Sequence, residues 1–322
     1  MYSKSTGDGR LISSIAGFCA NGSSGRHLVH VVTSLIGFQI GLILIPTRVL
    51  AADPAVAVFN YQAGVGYRFE HVEESDARFF TFPFLFNVPE EDIHRASAFG
   101  RLTVPVSGPI GARAFLSPGY VNREIDDFSQ TEIDGGGISI GGDLFVRNPE
   151  RFEIGVGPRF DWATLESDGF DQDLRTFGGE LGVRGFLPDF GVGPLDLQIS
   201  GAIGDRDVDQ DGGDFSGQTA SAAGGVVLYP FDRSSIHLGG VWTSEPAFDG
   251  SHFESRFGVF ELDFLLAKSP AWVVGPRVSA GERDRPFLGP TSVDQTFYSI
   301  GFELSATFPG ADSLVVLRRR YQ

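Results

Sequence analysis

The stretch RFEIGVGPRFDWA, residues 151–163, decides the fold class because its side chains alternate in character along its whole length. Apolar side chains occupy the even positions from Phe152 to Trp162, with Pro158 among them. Glu153, Arg159 and Asp161 share the odd positions with small residues. Because successive side chains of a β-strand point to opposite faces, a period of two predicts a strand with one apolar and one polar face.

The same alternation recurs along the chain. It is clear in 58–70 and 296–308 and weaker in 175–186, 195–204, 235–243 and 271–283. These segments exceed the ~5 to 6 residues usual for strands of soluble proteins. Their polar faces combine glycines with charges of both signs, and aromatic residues cluster near their ends. This pattern predicts an all-β, antiparallel transmembrane β-barrel, in which lipid contacts the apolar face and closure satisfies the backbone. A soluble periplasmic β protein is the alternative.

Short and long connections alternate between the predicted strands. The long ones are polar and mostly acidic: 122–134, 166–173, 205–217, 244–254 and 281–294. With the end of the last strand, Phe308, in the periplasm, the short turns are periplasmic and the long acidic loops extracellular. We expect about fourteen strands, within a range of twelve to sixteen, including a short one between Glu91 and Gly100. If the C-terminal tail supplied the closing strand, the two sides would be reversed.

The chain divides into three segments. Residues 1–52 contain an apolar run, 31–45, followed by the small residues Val49 and Ala51, and we interpret them as a cleaved signal peptide. An N-terminal membrane anchor is the alternative, although the run is shorter than the ~20 residues of a spanning helix. Residues 53–308 form the barrel. For the tail, 309–322, an extra strand, a periplasmic peptide that binds an acidic partner, and disorder remain open. Export and fold together predict the outer membrane of a Gram-negative bacterium.

The exported chain is strongly acidic. Removing residues 1–52 takes four of the 25 basic residues and one of the 41 acidic residues, which leaves 21 and 40 and a net charge of −19. This excludes a nucleic-acid partner, which requires a basic face. It favours attraction of cations or solubility of exposed loops. The single cysteine, Cys19, lies in the removed segment, so the mature chain has no disulfide and no thiolate metal site.

Three stretches resemble the MipA/OmpV family of outer-membrane β-barrel proteins. They are GVGYRFEHVEESDARFFTFPFLFNV (64–88), SPGYVNREIDDFSQTEIDGGGISIGGDLFV (117–146) and the closing strand IGFELSATF (300–308). The resemblance implies a barrel that either serves as a scaffold for peptidoglycan-remodelling enzymes or acts as a porin. This chain departs from the family by continuing for fourteen residues after Phe308. The other expected partners are outer-membrane lipid and lipopolysaccharide.

One acidic stretch resembles a calcium loop. In DVDQDGGDFSGQ, Asp207, Asp209 and Asp211 match the first half of an EF-hand loop, but Gln218 stands where a bidentate glutamate belongs. The flanking residues also predict strands, whereas an EF-hand requires helices. We expect at most a weak Ca²⁺ site here and otherwise no cofactor. The alternative is a solvated acidic turn.

Ser235 and His237 share one face of a predicted strand, as a nucleophile and its base would. That face is predicted to be lumenal, where a lipid ester does not reach, and the strand offers no adjacent acid. We therefore predict no enzymatic activity, and a lipid-acting barrel enzyme is only a further alternative.

Charged side chains on the polar faces are predicted to line the lumen: Arg68, Arg113, Glu153, Arg159, Asp161, Glu180, Arg184, Asp196, Arg277 and Glu303. If they pair across neighbouring strands, they form a plugged and rigid interior. If they stay apart across a wide lumen, they line a wet channel. The functional prediction is a scaffold or structural protein of the envelope. The alternative is a passive, cation-preferring porin for small solutes, with the acidic loops concentrating cations at its mouth.

Overall fold

The computed structural model describes residues 58–73, 75–78, 85–126, 131–167, 170–189, 191–210, 213–247, 252–286 and 292–321. The predicted signal peptide, 1–52, lies outside these residues. The strands are β1 (Asn60–Val72), β2 (Ser75–Arg78), β3 (Leu85–Val88), β4 (Glu91–Ser107), β5 (Ile110–Ile125), β6 (Thr131–Asn148), β7 (Phe152–Ser167), β8 (Phe170–Leu187), β9 (Leu195–Gln210), β10 (Phe215–Phe231), β11 (Ser234–Pro246), β12 (His252–Lys268), β13 (Ala271–Pro286) and β14 (Ser292–Phe308).

Twelve of these strands close into one antiparallel barrel. Each strand pairs with its neighbours in sequence, and β1 joins β14 on one side and β4 on the other. At the closure, Tyr61 lies opposite Phe308 and Asn60 opposite Thr103. Every strand is thus hydrogen-bonded along both edges, which satisfies the backbone without water. The predicted fold class is confirmed, with a strand number at the lower end of the predicted range.

The estimate of fourteen strands was too high because of the connection between β1 and β4. Here β2 and β3 pair only with each other, in a small separate sheet. Each has four residues, too few for a barrel strand that needs about 9 to 11 residues to span a bilayer. Instead of a short strand between Glu91 and Gly100, the structure has one 17-residue strand, β4.

The barrel has two unlike ends. We call the end that holds Asn60 and Phe308 the terminal end, and the opposite one the loop end. The five connections predicted to be long all lie at the loop end, but the strands extend far into these acidic stretches, and the connection 188–194 between β8 and β9 lies at the terminal end. In 205–217, for example, β9 continues to Gln210 and β10 begins at Phe215.

The two faces of the wall follow the predicted alternation. Large apolar side chains point outward, among them Val156, Phe177, Ile203 and Ile300, which are 60–74% exposed. Glycines, small residues and charges occupy the inward positions between them. Such a surface is suited to lipid on the outside and water within. In the described part of the chain, no helix has the length and apolar character needed to cross a membrane.

The C-terminal tail forms no extra strand as far as Tyr321. After Phe308 it makes an α-helical turn, Leu314–Val316, and a π-helical turn, Leu317–Tyr321. The extra-strand interpretation of 309–322 is therefore wrong for these residues. The tail adds no strand because β1 and β14 already pair with each other, so the barrel offers no free edge.

Candidate functional site

The candidate site is the barrel lumen, and all ten predicted lumen-lining residues occupy inward-facing positions. Residues that lie opposite each other on neighbouring strands point to the same face of the sheet. The pairing register therefore shows, strand by strand, which residues point into the barrel. The larger lumenal cavity directly contacts seven of the ten: Arg113, Glu153, Arg159, Glu180, Arg184, Arg277 and Glu303. Arg68 lines a second cavity, Asp161 binds Arg159, and Asp196 lies opposite Val227 on the same face.

Two lumenal cavities lie side by side. The larger has a volume of about 840 Å³ and the smaller about 390 Å³. Four residues border both of them: Ser97, Glu261, Arg277 and Glu303. We call these four the junction. Both volumes fall in the range of small-molecule sites, roughly 300 to 1,000 Å³.

A network of ion pairs fills the lumen near the terminal end on β5, β6 and β7. Arg113 lies 2.6 Å from Asp143 and 2.9 Å from Glu153, which also pairs with Arg147. Phe145 is fully buried between the two guanidinium groups, 4.5 Å from Arg113 and 4.9 Å from Arg147. Its ring occupies the space that a side chain at Gly111 would need, since a Cβ there would lie 2.3 Å from the ring. Paired charges with stacked aromatics make this a rigid part of the interior.

The C-terminal segment, residues 310–321, also lies at the terminal end, where it contacts β8, β9, β10, β12 and β13. It enters beside the β12–β13 turn, where a Cβ at Gly310 would come within 1.8 Å of the Lys268 carbonyl oxygen, so only glycine fits. Ser313 begins the helical turn by accepting a hydrogen bond from the Val316 amide on its Oγ. Because this turn points its apolar face at the wall, Leu314 and Leu317 become fully buried.

The two leucines pack into an apolar cluster contributed by three strands. Its other members are Val227, Tyr229, Leu265, Ala271, Val273 and Ala311. The Leu314 amide also donates to the carbonyl of Asp232 in the turn between β10 and β11, at 2.8 Å. The C-terminal segment is therefore docked by burial of apolar area as well as by hydrogen bonds.

Two arginines bind the C-terminal segment to the barrel wall. Arg319 pairs with Asp196 at 2.8 Å and donates to the carbonyls of Leu187 and Leu195. Asp196 is fully buried and also accepts from the Tyr229 hydroxyl at 2.7 Å. Arg318 pairs with Asp263. Inside the barrel, desolvation acts to lower the pKa of Arg318, but the charges of Asp263, Tyr229 and Glu261 and the hydrogen bond to Asp263 together outweigh it and raise that pKa above its ordinary value.

The acidic partner of the tail is thus the protein's own barrel. The sequence left open a periplasmic peptide that binds an acidic partner, and the described residues provide two carboxylates in that role, Asp196 and Asp263. Both lie on inward faces, on β9 and β12. The C-terminal segment and the Arg113 network thus both lie in the lumen at this end.

A smaller network lies toward the loop end. Glu70 is buried and binds Arg68 at 2.8 Å and Arg283 at 2.6 Å. Arg68 also donates from Nε to the Ser299 hydroxyl at 3.0 Å. The charges here are paired, as they are at the terminal end.

The middle of the lumen differs. Within the described part of the chain, Glu180, Arg277 and Glu303 have no hydrogen bond or ion pair to another residue, and the same holds for Arg101. Arg277 and Glu303 are exposed to the lumen. Glu261 lies 3.8 Å from Nδ1 of His237. Free charges of both signs therefore face the cavities here.

Ser235 and His237 do not form a nucleophile–base pair in the described structure. The Ser235 hydroxyl is buried and donates to Asp263 at 2.9 Å, while His237 faces Glu261 on β12. The strand β11 has no acidic residue beside Ser235 or His237, and the neighbouring strand β12 supplies one to each. Because Ser235 contacts Asp263 and His237 faces Glu261, the two side chains do not share one acid. Ser235 thus donates a hydrogen bond to Asp263, the carboxylate that pairs with Arg318 of the C-terminal segment.

The predicted calcium residues belong to a strand. Asp207 and Asp209 lie in β9, opposite Ser216 and Asp173 respectively, and both are exposed on the outward face. Asp211 lies outside the described residues. Among the residues that are described, no group of three histidine, cysteine, aspartate or glutamate side chains is arranged to hold a metal. The weak calcium site stays a prediction.

Sequence reasoning missed several lumenal residues: Arg101, Asp143, Glu261, Asp263, Arg318 and Arg319. The first four share the period-two phase of the predicted lumenal faces, so extending that phase along β4, β6 and β12 would have identified them. Nothing in the local pattern indicated that the two tail arginines return into the barrel.

Comparison with known proteins identifies the fold. No family model matches the chain, and a search of curated proteins finds no match. An outer-membrane channel from Pseudomonas putida F1 is similar in structure, with a TM-score of 0.53 and 10% identity over 81% of this chain and 100% of that one. The translocator domain of the autotransporter NalP from Neisseria meningitidis gives 0.46, with 9% identity over 86% and 97%. The Pseudomonas putida toluene transporter TodX gives 0.44, with 10% identity over 81% and 93%. The chain has the fold of the outer-membrane β-barrels of Gram-negative bacteria.

Proposed function

We propose that this protein is a passive outer-membrane channel for small solutes whose terminal end is closed by its own C-terminal segment. One observation carries the proposal. The lumen holds two cavities lined by charged and small side chains, and residues 310–321 close its end by docking against the wall without joining the sheet. Because this segment makes no strand pairing, it can leave while every inter-strand hydrogen bond stays in place.

We place the terminal end in the periplasm and the acidic loop end outside the cell. The mature charge of −19 then raises the concentration of cations at the outer mouth, an effect that salt screens over ~10 Å at 0.1 M. Inside, the lumen carries side chains of both signs, so the wall itself has no strong preference for cations or anions. The channel is therefore expected to prefer cations modestly, through its loops. We assign it no chemistry of its own.

The test compares the mature chain, residues 53–322, with a variant that ends at Pro309. Both are refolded in detergent and inserted into planar bilayers. We expect the full chain to stay mostly closed and the shortened chain to give stable, cation-selective steps in a salt gradient. Circular dichroism and heat-dependent migration on gels establish that both barrels are folded. A shortened barrel that is folded yet silent would contradict the channel.

A structural or scaffold role is the second candidate, as the resemblance to MipA/OmpV proteins implies. It is favoured by the dense pairing of Arg113, Asp143 and Glu153, which narrows the lumen independently of the C-terminal segment. A scaffold would be silent in both forms and would co-purify with peptidoglycan-remodelling enzymes from cells. The same pair of proteins thus separates the two candidates.

A further inference from the structure

The junction between the two cavities combines charges of both signs on three adjacent strands. Glu261 on β12 lies opposite Arg277 on β13, and Glu303 on β14 lies opposite Gly275, two positions from Arg277 on the same face. All three residues border both cavities. A solute that passes from one cavity to the other therefore meets a guanidinium and two carboxylates at one level.

Two of the three junction charges, Arg277 and Glu303, are free to bind a solute, while Glu261 lies 3.8 Å from His237. Arg277 and Glu303 have no hydrogen bond or ion pair among the described residues, in contrast to Arg68, Arg113 and Arg319 at the two ends of the lumen. Ions that lose water without gaining a partner are costly, and a solute of one sign would compensate only the charge opposite to its own and leave the charge of its own sign without a partner. A solute that carries both signs would compensate both.

The smaller cavity adds an apolar wall to this charged junction. Across from Arg277 and Glu303 it is lined by Val121, Ala163 and Leu165, with glycines at 135 and 137 between them. The three side chains cover these glycines, since a Cβ at Gly135 would meet Leu165 and one at Gly137 would meet Ala163. They offer a solute apolar contact. A small binding site with few charged groups and an apolar wall matches the usual composition of ligand pockets.

We propose that the junction binds a small dipolar solute with an ammonium group, a carboxylate group and a compact apolar side chain, that is, a free apolar amino acid. Arg277 binds the carboxylate, Glu303 with Glu261 binds the ammonium group, and the side chain lies in the smaller cavity. This proposal names the class of solute that the proposed channel would carry, and its biological meaning rests on the proposed channel function. The binding itself requires no conduction.

The test uses leucine and two analogues that each lack one charge. Isoamylamine has no carboxylate, and 4-methylpentanoate has no ammonium group. Isothermal titration into the refolded mature chain measures the three affinities. We expect each analogue to bind at least about tenfold more weakly than leucine, because each loses a charge-assisted hydrogen bond. Analogues that bind as tightly as leucine, or no leucine binding up to its solubility limit, would overturn the proposal.

Three matched variants locate the site. Arg277→Gln and Glu303→Gln are expected to weaken leucine binding about tenfold or more. The control, Glu180→Gln, removes an equally unpaired lumenal charge that borders only the larger cavity, and it should change the affinity by less than about twofold. An equal loss in Glu180→Gln and Glu303→Gln would overturn the assignment. If a variant fails to fold, the analogue series on the unchanged protein still decides the question.

The failure of this inference is distinguishable from the failure of the channel. Leucine binding to a barrel that stays silent after its C-terminal segment is removed would support the junction site and contradict the channel. Conductance steps from a barrel that does not bind leucine would contradict the junction site alone.

Discussion

At the terminal end of the lumen, Arg113, Glu153 and Arg319 each lie 2.9 Å or less from an opposite charge, whereas Arg277 and Glu303 in the middle have no such partner among the described residues. The residue types are the same in both regions. The register is similar in both regions, since Asp143 lies opposite Arg113 and Glu261 lies opposite Arg277. What differs is side-chain contact, because Arg113 binds Asp143 at 2.6 Å, whereas Glu261 lies beside His237 and leaves Arg277 without an ion pair.

This difference separates two roles for lumenal charge. Paired charges that exclude water hold the interior rigid, and removing one partner exposes the other to a large desolvation cost. Unpaired charges facing a cavity add little to stability, but they are available to a solute. We therefore expect large effects on closure and stability at the terminal end, and effects on binding alone in the middle.

The largest effect is expected from Leu314→Ser combined with Leu317→Ser. Both leucines are fully buried, and truncating a buried leucine costs about 2 to 5 kcal/mol, so the C-terminal segment should leave its pocket. Planar-bilayer recordings should then show frequent opening. The matched control is Val316→Ser, since Val316 lies between them and is 39% exposed. Equal opening in the control would mean that burial of the two leucines does not dock the segment.

A smaller effect is expected from Glu153→Gln. This change leaves Arg113 and Arg147 with one negative partner fewer in a nearly water-free position, where Glu153 is 4% exposed. Breaking such a buried pair costs about 3 kcal/mol. Urea unfolding of the barrel in lipid vesicles measures the change. A loss below about 1 kcal/mol would show that this network does not stabilise the terminal end.

The smallest effect on stability is expected from Glu303→Gln. Glu303 faces the cavity without a partner, so its replacement by neutral glutamine should change the free energy of unfolding by less than about 0.5 kcal/mol. The same urea titration, run beside Glu153→Gln, gives the comparison in one experiment. A loss equal to that of Glu153→Gln would remove the distinction between paired and unpaired regions.

The alternation of side chains was enough to predict the barrel and its inward faces. In 151–163 the odd positions supply Glu153, Arg159 and Asp161, and all three point into the lumen in the structure. A period of two is a local property that each strand carries by itself. The strand number was less accurate because the short strand predicted between Glu91 and Gly100 is part of one long strand, β4, and because β2 and β3 stay outside the barrel.

Pairing within the lumen could not be predicted in the same way. Whether a charge finds a partner depends on the register between strands, as with Arg113 and Asp143, thirty residues apart in sequence. The C-terminal segment depends on even more distant contacts. Arg319 binds Asp196, 123 residues away, and a short apolar run such as SLVVL is ambiguous between strand and helix. Only the closed barrel supplies the apolar pocket that determines the conformation of the C-terminal segment.

The central claim is that the C-terminal segment lies inside the barrel, and cysteine labelling tests it most directly. Residues 53–322 contain no cysteine, so in this segment Leu317→Cys and Val316→Cys each introduce one thiol. A small, water-soluble maleimide is added to each folded variant, and the labelling rates are compared with those in urea. We expect the cysteine at 317 to react at least about tenfold more slowly than the one at 316 in the folded barrel, and equally fast in the unfolded chain. Equal rates in the folded barrel would contradict this claim.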